Sequence, residues 1–239
     1  MNAFALACAV AAALANVAGA AAVTWRRKWG VRALEGMVAL SAGFLIAASL
    51  TDLLPEAIER GGHTAALVAL AGYLLVHLTQ HTLATHFHFG EETHEVDEVT
   101  SHTALAGLLL HTLVDGVAIA SAFGVSESLG LLVFFAILLH KFPEGLAISS
   151  LYLAAGAPPR RAMYAAVALG LATILGVVLT SALGVLATHG LALSAGVTLY
   201  VGASNLVPEF QSKEGWRLPA AFFLGCGIYL AARVVTGVG

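Results

Sequence analysis

Two segments of the chain carry the same spacing of ligand-type side chains. His111-Thr112-Leu113-Val114-Asp115-Gly116 and His140-Lys141-Phe142-Pro143-Glu144-Gly145 each set a histidine four residues before a carboxylate, with a glycine next. Residues four apart share one face of a helix, a turn apart. Two such helices packed together would bring two imidazoles and two carboxylates to one point. That nitrogen and oxygen set suits a divalent transition metal: zinc first, with Fe(II), Mn(II), Co(II) or Cd(II) as substitutes. Both segments lie in apolar sequence, where each bare carboxylate costs a few kcal/mol. Such groups persist only if something neutralises them or if they move something. Pro143 removes a backbone hydrogen bond and crowds the carbonyl of Leu139, which weakens the helix beside the acid. Lys141 shares a broad face with Glu144. It reads as a salt bridge to Glu144 or Asp115, as a fixed cation where a second metal would otherwise sit, or as a group that takes part in proton movement.

The elements that position these residues are membrane spans. The chain has 239 residues, 59% hydrophobic and only 10% charged. That balance excludes a disordered chain, a nucleic-acid binder and an ordinary soluble enzyme. A span needs about 20 apolar residues, so the length accommodates about eight helices with short loops. Apolar stretches run at 1–25, 33–55, 64–86, 102–124, 128–152, 162–187, 190–209 and 217–237. The expectation is an all-α integral membrane protein, a single transmembrane domain over 1–239. The first stretch is read as a span rather than a signal peptide, because its basic residues follow the apolar run. Cys8 and Cys226 form no disulfide framework.

Arg26, Arg27, Lys28, Arg32, Arg160, Arg161, Lys213 and Arg217 are eight of the eleven basic residues, and with eight spans they all fall on one side. The positive-inside rule makes that side the cytoplasm and puts both termini outside. The loop at 87–101, between spans 3 and 4, is cytoplasmic too. This loop region holds His88, His94 and five carboxylates, with His86 just before it. It is either a solvated loop or a weak metal trap at an exit.

Two repeats are visible. Ser41-Ala42-Gly43 precedes Leu53-Leu54-Pro55-Glu56 at the same separation as Ser194-Ala195-Gly196 precedes Leu206-Val207-Pro208-Glu209. Spans 2 and 7 run in opposite directions, so this is the pattern of an inverted repeat relating spans 1–3 to spans 6–8 around spans 4 and 5. The second repeat is the His-acid-Gly motif itself. Asp52, Glu56, Glu209, His77, His81, His86 and His88 are candidate entry and exit ligands, forming a stair of weak sites that would pass an ion along, with a helix-packing polar pair as the equal alternative for His77 and His81.

At the paired motifs the chain resembles the ZIP (Zrt/Irt-like) divalent-metal transporters, in a compact, bacterial-type form. The family motifs His-Asn-x-x-[Asp/Glu]-Gly and His-Glu-x-Pro-Glu-Gly stand here as the segments at His111 and His140. The resemblance implies a 3+2+3 bundle that takes up zinc or a similar ion into the cytoplasm. It implies an elevator-like motion of spans 1, 4, 5 and 6 against spans 2, 3, 7 and 8. It assigns the transport site to His111, Asp115, His140 and Glu144. Some relatives hold two metals. Here the positions that would serve the second are Thr112, Lys141 and, on a looser alignment, Thr173, and a span-2 thioether position is Leu45. Charge count then favours one metal, with the Lys141 ammonium in place of the second.

The expected function is therefore transport, not catalysis. An intramembrane metalloenzyme and a metal-permeable channel are the rivals. The partners are the metal ion and the lipid bilayer, with no nucleic acid. Small residues in spans 6 and 7 would permit a homodimer. The expected location is a plasma membrane, as in a bacterial inner membrane.

Overall fold

The computed structural model describes residues 2–25, 31–82 and 98–237, and every element among them is helical. The helices are α1 (Ala3–Thr24), α2 (Val31–Ala48), α3 (Leu54–Thr82), α4 (Glu98–Val125), α5 (Glu127–Ala154), α6 (Pro159–Ala182), α7 (Gly184–Tyr200), the single turn α8 (Pro208–Gln211) and α9 (Arg217–Thr236). Two π-helical segments, π1 (Ser49–Leu53) and π2 (Val201–Leu206), follow α2 and α7. Large apolar side chains stay exposed on α3 (Leu67, Leu70, Leu74), α6 (Leu171, Leu175) and α9 (Phe223, Leu224). Helices satisfy their own backbone, so such faces can meet lipid.

Among the described residues seven stretches are long and apolar enough to cross a membrane, against eight expected. Six have 20 to 27 residues, but the stretch Glu35–Thr79 has 45. A straight helix of that length would reach about 68 Å, twice the roughly 30 Å of hydrocarbon. It is not straight. Gly62 has φ 58° and ψ −145°, a backbone state that costs any side-chain-bearing residue. Before Gly62 the chain runs antiparallel to α7: Ser49 Oγ donates to the Ala195 carbonyl at 2.7 Å, and Gly202 packs on Ile46. After Gly62 it runs parallel to α7: Gly72 packs on Leu193, Tyr73 on Tyr200, and the Tyr73 hydroxyl meets Ser204 Oγ at 3.0 Å. The chain reverses direction inside the stretch.

Two expected boundaries move. The turn after α6 falls at Leu183, not at 188–189, because Leu183 takes an extended backbone (φ −108°, ψ 110°) before Gly184. His189 therefore lies within α7. The apolar run is continuous there, and hydropathy carries no mark of the break. Helix α4 starts at Glu98, inside the segment 87–101 expected to be loop. Residues 83–97 lie outside the described residues, and with them His86, His88 and most of the His/acid cluster.

The helices sort into two groups. α1, α4, α5 and α6 pack together, as do α2, α3, α7 and α9, and the groups meet where α4 touches α7 and α2 touches α5. Inside each group the same contact occurs twice. Gly43 packs on the Phe222 carbonyl and Gly225 on that of Leu40; Gly196 packs on Ala69 and Gly72 on Leu193. Leu40 and Gly43 correspond to Leu193 and Gly196 at one shift along the chain, and Ala69 and Gly72 correspond to Phe222 and Gly225 at the same shift. In the other group Gly19 packs on Phe142 and Gly145 on Asn16, while Gly176 packs on Leu113 and Gly116 on Thr173. Here α1 corresponds to α6 and α5 to α4. The π segments obey the same correspondence. The Leu54 N–H reaches back five residues to the Ser49 carbonyl, and Val207 N–H to that of Gly202. Each wide turn precedes a proline, Pro55 or Pro208, which has no N–H for the carbonyl four residues back and would crowd it.

Candidate metal site

Helix α4 carries His111 and Asp115, and α5 carries His140, Lys141 and Glu144. All five are at most 5% exposed, and Lys141 is wholly buried. The glycine after each acid sets the depth of the site. Gly116 admits the α6 backbone at Thr173 and Gly145 admits the α1 backbone at Asn16, so four helices close around the cluster.

The four ligand-type residues converge, with one ligand atom from each lying within 4.8 Å of all the others. His111 Nε2 is 3.4 Å from Asp115 Oδ2 and 3.6 Å from Glu144 Oε2. His140 Nε2 is 3.4 Å from Asp115 Oδ2 and 3.9 Å from Glu144 Oε2. A tetrahedral zinc with ligands at 2.0–2.1 Å needs ligand atoms about 3.4 Å apart. Two of these spacings equal that figure, and the two to Glu144, at 3.6 and 3.9 Å, exceed it. The His140 Nδ1 lies 3.2 Å from the Ala136 carbonyl, and a proton held there leaves the Nε2 lone pair for a metal. His111 Nδ1 is buried with no hydrogen-bond partner among the described residues.

Lys141 Nζ lies 2.6 Å from Asp115 Oδ2 and 2.8 Å from Glu144 Oε2, and donates to Thr112 Oγ1 at 3.3 Å. The oxygens that face the imidazoles thus also face the ammonium. The other Glu144 oxygen, Oε1, accepts from Thr112 Oγ1 at 2.8 Å and from Asn16 Nδ2 at 3.3 Å. Leu45 packs in a core to which α2, α4, α5, α7 and α9 all contribute, and Thr173 Oγ1 bonds the Leu169 carbonyl at 3.4 Å.

A cavity of about 50 Å³ adjoins the cluster, lined by His111, His140 and Glu144 from one helix group and by Ser41 and Asn205 from the other. A larger cavity of about 430 Å³ lies between the groups at the opposite end, lined by Arg60, Ser121, Thr180 and His189, and touches none of the four ligand residues.

The other candidate ligands are scattered. Asp52 sits in π1 with both oxygens engaged: Oδ2 accepts from Tyr229 Oη at 2.5 Å and Oδ1 from Arg233 Nε at 2.8 Å. Glu56 pairs with Arg60 at 2.5 Å at the partly exposed end of the hairpin. His77 packs edge-on against Tyr200, with Nδ1 at 3.4 Å from its hydroxyl. His81 and Glu209 lie on α3 and α8, their side chains outside the described residues. Sequence reasoning passed over Asn16, the Thr112 hydroxyl as a bridge, Ser41 and Asn205. A signal existed for Asn16, the one amide of the first span away from its ends.

A family model described as the ZIP zinc transporter matches residues 91–232. The zinc transporter ZIP9 of Micropogonias undulatus is 34% identical over 152 residues, 58% of this chain and 49% of that protein. ZIP9-A of Xenopus laevis is 32% identical over 151 residues, 58% of this chain and 50% of that protein. A putative zinc transporter of Arabidopsis thaliana is 33% identical over 128 residues, 52% of this chain and 20% of that protein. The chain spans about half the length of the ZIP9 relatives it matches.

Proposed function

The chain belongs to the ZIP zinc transporter family, and from that premise we propose that it carries a divalent transition metal, zinc first, across a membrane into the cytoplasm. One observation carries the reading: four buried ligand atoms from two helices lie within 4.8 Å of one another, and three of the His-to-carboxylate spacings, 3.4 to 3.6 Å, are near that of a tetrahedral zinc site. His111, Asp115, His140 and Glu144 hold the ion. Lys141 is a tethered cation in the place of a second metal. With neutral histidines the empty site carries one net negative charge and the loaded site one net positive charge. The same magnitude crosses the low-dielectric midplane in both states, where two unpaired carboxylates would cost much more.

The reversal at Gly62 supports eight crossings with both termini outside. The duplicated glycine contacts and π segments support an inverted repeat, and the grouping of α1, α4, α5 and α6 supports an elevator-like motion against the rest. In that orientation the cavity with Ser41 and Asn205 lies on the cytoplasmic side of the site and serves as the exit. Glu56 stays a candidate for entry, and Glu209, His81, His86 and His88 for exit. The engaged oxygens of Asp52 and the packed ring of His77 favour structural roles for those two.

The test is radioactive zinc uptake into proteoliposomes by the unchanged protein, His140→Ala and Lys141→Ala. The expectation is saturable uptake, lost in the His140 variant and reduced in the Lys141 variant. Flux linear in zinc would favour a channel. No zinc flux by protein that binds one metal tightly would reject zinc as cargo.

A further inference from the structure

We infer that Asn16 of α1 is a positioning residue for the metal site: it holds Glu144 so that only one carboxylate oxygen faces the ion. The inference rests on the transport site proposed above. Glu144 divides its two oxygens between different surroundings. Oε2 faces His111 Nε2, His140 Nε2 and the Lys141 ammonium. Oε1 faces away from the imidazoles and accepts from Thr112 and Asn16. A carboxylate free to rotate could offer either oxygen, or both at once. Two donors on Oε1 pin it as a one-oxygen ligand, and hydrogen bonds to a charged oxygen are stronger than neutral ones.

Asn16 is suited to this task by where the backbone puts it. It is wholly buried, in a helix that carries no ligand to the ion. Its own backbone lies against Gly145, the residue next to Glu144, so closely that a Cβ at Gly145 would collide with it. The amide therefore cannot drift from the carboxylate by sliding of α1 past α5. Its orientation is set by charge, because Nδ2 and not Oδ1 must face the carboxylate. The consequence is visible: Oδ1 is buried and has no hydrogen-bond partner among the described residues. A polar group left unpaired in the bilayer interior is retained against its desolvation cost, as expected where the other end of the amide has a task. The matching position on α6 is Thr173, which instead bonds within its own helix. The related contacts thus leave Glu144, not Asp115, held by an amide from a neighbouring helix.

Outer-shell partners of metal ligands typically contribute about 10- to 100-fold in metal affinity. The experiment is a Co(II) titration of the purified full-length protein, followed by visible absorption, for the unchanged protein, Asn16→Leu, Asn16→Asp and Glu144→Gln. Leucine keeps the number and branching of the heavy atoms and removes the donor; aspartate keeps the shape and replaces the donor with an acceptor. Thermal unfolding of each metal-free variant is measured in parallel. The expected result is a tenfold or greater rise in Kd and an altered Co(II) band in both Asn16 variants, with Asn16→Leu unfolding near the temperature of the unchanged protein. Unchanged Kd and band in Asn16→Leu, with binding lost in Glu144→Gln, would overturn this inference and leave the site standing. Absence of Co(II) binding to the unchanged protein, or binding indifferent to Glu144→Gln, would overturn the site and this inference with it.

Discussion

At the residue scale the informative side chain is Lys141. A fully buried ammonium between two carboxylate oxygens, at 2.6 and 2.8 Å, fills the position that the related motif gives to glutamate. Replacing it with that glutamate removes the fixed positive charge and adds an oxygen ligand. Lys141→Glu is expected to bind two metal ions per chain where the unchanged protein binds one, read by metal analysis after equilibrium dialysis. A stoichiometry of one in both would mean that the ammonium is not standing in for a metal. Asp52 makes the opposite point. It looks like a ligand by residue type, yet Tyr229 and Arg233 engage both of its oxygens. Arg233→Ala leaves one oxygen of a buried carboxylate without its charged partner. It should cost about 1–3 kcal/mol, seen as a lowered unfolding temperature, with zinc affinity little changed.

At the scale of elements, close backbone approach replaces the hydrophobic drive that lipid removes between helices. The glycines at the α2–α9 and α3–α7 contacts have no room for a methyl group. Gly43→Ala and Gly196→Ala occupy corresponding places, so each should destabilise by a similar amount, about 1–3 kcal/mol, in thermal unfolding. A large effect in one and none in the other would deny the correspondence. The π segments are set by the same logic. Each sits just before a proline, and the wide turn re-aims the side chains there: Asp52 toward α9 in π1, and Asn205 into the cavity beside the cluster in π2.

At the scale of the whole molecule, the two helix groups touch where α4 meets α7 and where α2 meets α5, and transport by an elevator-like motion requires those contacts to slide. A Cβ at Gly190 of α7 would lie 3.7 Å from the Cβ of Ser121 on α4, within the range of a disulfide. With Cys8 and Cys226 replaced by alanine, the pair Ser121→Cys and Gly190→Cys should cross-link on oxidation. Zinc uptake should then stop and return on reduction. Uptake that persists with the groups linked would mean that the ion passes without their relative motion.

What the sequence by itself determined is what local order can encode. The His-acid spacing places each pair on one helical face, the apolar runs specify membrane helices, and the matching Ser-Ala-Gly and Pro-Glu segments expose related halves. These features depend on the period of the helix and on solvation along one dimension. Tertiary structure decided everything that needs two distant segments to meet. It brought both pairs to one point, and it set Asn16 against Glu144, 128 residues away. It gave Asp52 to Arg233 and put Asn205 beside the cluster. It also chose where the continuous apolar stretch after α6 breaks, at Leu183, since hydropathy does not change there, whereas the reversal at Gly62 falls in the gap between spans 2 and 3 that Glu56, Glu59, Arg60 and His63 already mark. A side chain's type states what it can bind, and in a membrane interior with no water to compete, the neighbour that packing supplies settles what it does bind.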